Sequence, residues 1–235
     1  MAPRATARKA EAHGTERALA CCAGMTKKAK TAATSAVAAE KAAVEALEPI
    51  RDSAVLDRVA DLGDQPQLRT VSVAMVAAGL AAGRNSGYGP RLARAGLRML
   101  VAHETATFAK NFVKKRIDRR RPRSNGARHD DHVPAPGRSR EKEETSFPSG
   151  HSAGAAAATR AFAREFPEHK AAAAATGAAL ALVQIPRCAH YPTDVAAGLA
   201  IGLAAEAAVA ALWPAAPRPA TAPEPVREPL PCVTC

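Results

Sequence analysis

Alanine, not large aliphatic or aromatic residues, fills most apolar positions of this chain, and that limits its fold more than any other feature. Hydrophobic residues make up 47% of the 235 positions, yet aromatics make up only 3%. A core of methyl groups calls for helices whose backbones approach closely, because small faces let neighbouring helices pack tightly. Strand signals are nearly absent: no stretch sustains the alternation of Val, Ile, Thr and aromatic residues that a half-buried strand needs. The expected fold class is all-α.

The length suits one domain with flexible ends. Residues 1–30 are polar and basic and read as a disordered tail. The helical domain runs over 31–213, and the Pro-rich stretch 214–235 has no periodicity and reads as a second tail. Within the domain, 31–50 is an Ala-rich helix and 52–67 a short helix or linker. Residues 68–83 form an apolar run ending in a turn cluster. The span 91–115 reads as a long helix, with Leu97, Leu100, Val101, Thr105, Phe108 and Phe112 as its buried stripe. A charged loop over 119–146 follows; a connection this long is more often functional than accidental. Further helices are expected from Pro148–Ser149 to Phe166, over the uncharged run 171–185, and from Pro192–Thr193 to Trp213. Within the last of these, Val195 to Trp213 nearly qualifies as a membrane span, with Glu206 its one charge. Hydropathy alone leaves a soluble bundle and a membrane bundle equally open.

The net charge of +11 suits an anionic partner: nucleic acid, lipid headgroups or a phosphorylated substrate. The odd set Cys21, Cys22, Cys188, Cys232 and Cys235 does not form a disulfide framework, and Cys232-x-x-Cys235 has no second pair at ligand spacing, so no metal site is assigned. The N-terminal 30 residues lack the uninterrupted apolar run of a cleavable signal.

Three clusters carry chemistry. Lys114 and Arg121, the latter followed by Pro122, lie seven residues apart, which on a continuous helix is about two turns and one face. Fixed cations there would stabilise the charge of a phosphoryl group. Pro148-Ser149-Gly150-His151 reads as a helix start, with Pro ahead, Ser as cap and Gly allowing close backbone approach. The Ser149 hydroxyl and Gly150 amide can donate to an anion, and His151 can protonate a leaving alkoxide. His190 and Asp194, four apart, share a face on a helix. The carboxylate would then fix the imidazole tautomer and leave the other ring nitrogen as a nucleophile. Each cluster alone also fits a bland role: a solvated basic stretch, an ordinary N-cap, a surface His–Asp pair.

Taken together and in this order, the three clusters resemble the type 2 phosphatidic acid phosphatase and vanadium haloperoxidase superfamily. Its pattern is Lys-x6-Arg-Pro, then Pro-Ser-Gly-His, then Ser-Arg-x5-His-x3-Asp. Lys114 to Pro122 match the first motif and Pro148 to His151 the second, while His190 and Asp194 match the end of the third; the resemblance covers about 60–213. It implies a helical bundle with the active site at one end, embedded in a membrane of the bacterial inner-membrane type. His190 would form a phosphohistidine, Asp194 orient it and His151 act as the acid. Lys114, Arg121, Ser149 and Gly150 would hold the oxygens. The implied substrate is a lipid phosphate or diphosphate, with no metal or other cofactor and no nucleic-acid partner; oligomeric state and sidedness are not fixed by it.

One departure stands out. Where the third motif places Ser-Arg, this chain has Val183-Gln184, and Arg187 three residues on is the expected substitute for the missing phosphate clamp. Two alternatives stay open: a soluble acid phosphatase or vanadate-dependent haloperoxidase, and a basic protein that binds nucleic acid or anionic lipid.

Overall fold

A computed structural model describes residues 27–123 and 133–214. Cys21, Cys22, Cys232 and Cys235 lie outside the described residues, as do most of the expected N-terminal tail and nearly all of the C-terminal one. Seven α-helices occur among the described residues: α1 (Lys27–Glu45), α2 (Ala54–Leu62), α3 (Gln65–Ala81), α4 (Gly89–Lys114), α5 (Gly150–Glu165), α6 (Lys170–Leu182) and α7 (Pro192–Leu212). The one sheet among the described residues is a ribbon of two short strands, β1 (Ile117–Asp118) and β2 (Ala135–Pro136), antiparallel within the connection from α4 to α5. The fold is therefore an all-α bundle. The expected tail and helix boundaries shift slightly, with α1 starting at Lys27 and ending before a short 3-10 turn at Glu48–Ile50.

Helix α5 is the axis. It packs against α4, α6 and α7, and it can do so because most of its buried positions are small: Ser152, Gly154 and the alanines Ala153, Ala155, Ala156, Ala157, Ala158 and Ala161. Helix α7 meets it through Gly198 and Gly202, one turn apart. A Cβ on Gly202 would overlap the carbonyl oxygen of Ala153, and one on Gly198 that of Ser149. This approach brings the first turn of α7 beside the first turn of α5, where Ser149 N–H donates to the Asp194 carbonyl at 3.0 Å.

The far end of the bundle is closed by buried ion pairs. Arg98, wholly buried, donates to Glu165 at 3.0 Å and to the Trp213 carbonyl at 2.6 Å. Glu206, also wholly buried, accepts from Arg160 at 2.9 Å and from Arg164. Glu165 ends α5, about 22 Å along its axis from Gly150 at a rise of about 1.5 Å per residue. One end of the bundle is thus cross-linked and the other is free to hold a site.

The stripe expected on α4 is corrected by the structure. Leu97, Val101, Phe108 and Phe112 are exposed, and the buried face is Ala95, Gly96, Arg98, Met99, Ala102, His103, Ala106 and Lys110. Large and small apolar residues both recur at helical spacing, so periodicity finds two faces. Backbone proximity selects the small one: a Cβ on Gly96 would come within 2.5 Å of the Ser72 carbonyl of α3.

Candidate active site

The inner face of α4 ends in Lys110 and Lys114, one turn apart. Opposite them, the first residues of α5 present Gly150 and His151, and the turn leading into α7 presents His190. With Arg121 and the α2–α3 junction at Gly63 and Asp64, these residues line a single cavity of 260 Å³. All three motif clusters meet there with the α2–α3 junction, and both motif histidines face the same space.

Arg121 reaches the cavity by a route that helical spacing does not anticipate. Helix α4 stops at Lys114, so Lys114 and Arg121 do not share a helical face. Instead the loop after β1 runs beside residues 143–146. Arg119 N–H donates to Glu144 O at 2.7 Å, Arg121 N–H to Glu143 O at 2.7 Å, and Ser146 N–H to Arg119 O at 2.9 Å. The Arg121 guanidinium is then fixed by the carbonyls of Lys142 at 2.9 Å and Ala189 at 3.2 Å, with Nη1 3.3 Å from His190 Nε2.

His190 is likewise not on a helix; α7 begins two residues later. Its turn is shaped by Gln184, whose carbonyl accepts from the N–H groups of Ala189 at 3.1 Å and His190 at 3.3 Å. Asp194 folds back from the first turn of α7, and its Oδ2 accepts from the Tyr191 N–H at 3.0 Å. That places Oδ2 3.6 Å from His190 Nδ1. Ser146 stands between them, donating to Oδ2 at 2.6 Å with its hydroxyl 3.4 Å from Nδ1. The Nδ1 edge of the ring thus faces a carboxylate and a hydroxyl, while Nε2 faces Arg121 and the cavity. Burial pushes the imidazole pKa down to about 4, against the opposing pull of Asp194. At neutral pH the ring is uncharged and Nε2 carries a lone pair.

Behind Asp194 lies a buried charge relay to the N-terminal helix. Arg119 donates to Asp194 Oδ1 at 2.5 Å and to Glu40 Oε2 at 2.8 Å, with its guanidinium stacked 4.0 Å above the Tyr191 ring. Glu40 Oε1 accepts from both the N–H and the hydroxyl of Thr193 at 2.6 Å. Helix α1 is therefore tied through Glu40 to the start of α7.

Of the residues expected at the site, Lys114, Arg121, Gly150, His151 and His190 line the cavity, and Asp194 backs His190. Ser149 is wholly buried beneath it, its hydroxyl accepting from Ser152 N–H at 3.3 Å and Ser152 Oγ at 2.8 Å as the cap of α5. Arg187 is not among the cavity's lining residues: its Nε donates to Asp57 at 2.8 Å, although its charge still bears on His151, whose pKa is lowered by burial first and in part by Arg187. Lys110 also lines the cavity, beside the start of α5. A Cβ on Gly150 would lie 3.3 Å from Lys110 Nζ, so the glycine makes room for the ammonium. Sequence reasoning missed Lys110, although its spacing of four from Lys114 was a usable signal. It also missed Asp64, whose Oδ1 sits 2.5 Å from His151 Nε2, as well as Ser146, Arg119 and Glu40. No local pattern marks those four, because each acts across a long stretch of chain.

The PAP2 superfamily model matches residues 95–218. Over 57 residues, 24% of this chain, the sequence is 47% identical to lipid A 1-phosphatases of Rhizobium etli and Rhizobium johnstonii, covering 25% and 23% of those proteins. The match thus spans about a quarter of the curated relatives' length. A transmembrane PAP2 type phosphatidylglycerolphosphate phosphatase from Bacillus subtilis has a similar fold, with a TM-score of 0.53 at 19% identity over 85% of this chain and 92% of that one.

Proposed function

Because the chain belongs to the PAP2 superfamily, we propose that it hydrolyses a phosphate ester carried by a lipid, through a phosphohistidine and without a metal ion. The observation that carries this reading is the convergence of His151, His190, Lys110, Lys114 and Arg121 on one 260 Å³ cavity. A phosphate monoester is close to dianionic near neutral pH, and three cations in a confined, partly desolvated space match that charge and the charge that spreads over the peripheral oxygens in the transition state.

In this mechanism the non-bridging oxygens lie against Lys110, Lys114, Arg121 and the Gly150 amide. Binding of the phosphate draws the Arg121 guanidinium from Nε2 of His190 toward the oxygens, which releases the lone pair. Nε2 attacks phosphorus, the P–N bond forms and the P–O bond to the alcohol breaks. His151 delivers its proton to the departing oxygen, and Asp64 stabilises the imidazolium that makes this possible. Asp194 and Ser146 face the Nδ1 side, where positive charge grows as Nε2 bonds to phosphorus. In the second half, His151 takes a proton from water, the resulting oxygen attacks phosphorus, and the P–N bond breaks to release inorganic phosphate and regenerate His190.

The lipid nature of the substrate is supported by the outer surface. Large apolar side chains point outward from α3 (Val71, Val73 and Leu80), α4 (Leu97, Val101, Phe108 and Phe112) and α7 (Leu203 and Leu212). Among the described residues, α7 is one helix long and apolar enough to cross a bilayer. The names of the relatives point to phosphorylated lipids as well.

The test is phosphate release from phosphatidate in detergent micelles with EDTA present. The full chain should turn over, and His190→Ala should lose at least about 1,000-fold in kcat. Full activity in that variant, or activity that appears only when a divalent ion is supplied, would overturn the mechanism.

A further inference from the structure

Next to the catalytic cavity lies a larger one of 680 Å³, whose wall, among the described residues, carries five basic side chains, Lys114, Lys115, Arg116, Arg138 and Arg140, and no carboxylate. Only Lys114 is used by the chemistry above. The cavity is assembled by the β1–β2 ribbon: pairing of Ile117 with Pro136 and of Asp118 with Ala135 turns the chain back, so that Arg138 and Arg140 stand beside the end of α4. Two bonds hold that return, from Gly137 N–H to Arg116 O at 3.0 Å and from Ser139 N–H to Asp118 Oδ1 at 2.9 Å.

Among the described residues, none of these five forms an ion pair; Arg116 donates to the Phe112 carbonyl at 2.6 Å and stacks 3.5 Å above the Phe112 ring. Four of the five are exposed enough to be met by a ligand from solvent. Like charges gathered on one wall repel, so the arrangement is costly unless an anion is to be held there. Arg138 and Arg140 offer planar forks suited to phosphate oxygens. The volume is that of a ligand site, larger than a lone phosphate needs.

Lys114 lines both cavities. An anion in the larger one and the scissile phosphate in the smaller one therefore touch the same side chain, and one molecule bearing two such groups can span them. We infer that the basic cavity is a subsite for a second phosphate on the substrate's own headgroup, so that the preferred substrate is a lipid carrying two phosphate groups. This rests on the phosphatase reading and adds the class of headgroup to it.

The experiment compares phosphatidate, with one phosphate, and phosphatidylglycerolphosphate, with a phosphodiester besides its terminal phosphate. Each is presented to the full chain in neutral detergent micelles. Wild-type kcat/KM should favour the second lipid about tenfold, the discrimination worth about 1.4 kcal/mol. The double variant Arg138→Gln, Arg140→Gln should bring that ratio close to one while leaving phosphatidate turnover and the melting temperature unchanged. A ratio unaltered by the double variant overturns the subsite, as does an equal loss on both lipids, which would mark simple attraction to a charged surface. Adding phosphatidylglycerol, an anionic lipid without a terminal phosphate, separates the two sources of anion: competition as strong as that of the two-phosphate lipid would assign the cavity to neighbouring headgroups and overturn the proposal. If the wild type hydrolyses neither lipid, the phosphatase reading fails. The same comparison is then made on dissociation constants, where a tenfold weaker grip on the two-phosphate lipid alone supports the subsite and equal weakening overturns it.

Discussion

Gln184 stands where the motif pattern calls for arginine, and Lys110 adds a basic side chain that the motifs do not contain. Its ammonium lies beside Gly150 in the catalytic cavity, which Lys114 and Arg121 also line. Lys110→Met should lower kcat/KM on phosphatidate about 100-fold, in line with loss of one electrostatic contact to a transition state, whereas Arg187→Met should change it less than threefold because Arg187 is bound to Asp57. Steady-state kinetics of the two variants checks both expectations. His190 sets a pH dependence at the same scale. Its pKa falls from the usual 6.5 to about 4 on folding, so between those values the unfolded chain binds a proton that the folded protein does not. The stability contributed by burying a neutral ring is complete above about pH 6.5 and is lost as pH falls toward 4, by about 3 kcal/mol at the limit. Melting curves in detergent at pH 7, 5 and 4 should show this loss, and His190→Gln should remove it.

At the scale of elements, the connection between α4 and α5 and the helix α1 do more than join or flank the bundle. The loop ladder from Arg119 to Ser146 aims Arg121, and α1 braces Asp194 through Glu40 and Arg119. Glu40→Ala would leave the Arg119 guanidinium, wholly buried, with half its counter-charge. Breaking one side of a buried ionic cluster costs about 3–5 kcal/mol, so the variant should melt well below the wild type. Its kcat should fall more than its KM rises, because the loss is in the orientation of His190, not in the phosphate clamps. Thermal unfolding and a kcat-against-KM comparison test the two parts.

For the molecule as a whole, charge and hydropathy are segregated. The buried ion pairs of Arg98 and Glu206 lock one end of the bundle, the cationic cavities occupy the other, and the exposed sides of α3, α4 and α7 carry large apolar residues. Such a surface suits lipid around the waist with polar ends in water. The full chain should remain with membranes after an alkaline carbonate wash and enter the detergent phase on cloud-point separation. Recovery in the aqueous phase would instead favour a soluble phosphatase or haloperoxidase of the same fold.

The order of the three motifs, read with the alanine-rich composition, determined by itself the helical class and the residues Lys114, Arg121, His151, His190 and Asp194 as a set. Those signals are local: a tetrapeptide, a spacing, a side-chain size. Which face of α4 turns inward was decided only in three dimensions, because apolar periodicity is satisfied by Phe108 and Phe112 as well as by Ala102 and Ala106. The same holds for Lys110 as the third cation, for Arg187 paired off with Asp57, for Asp64 beside His151 and for Glu40 reaching Asp194. Each of those depends on the approach of backbones distant in sequence, and electrostatic partners chosen by proximity leave no spacing for a linear reading to find.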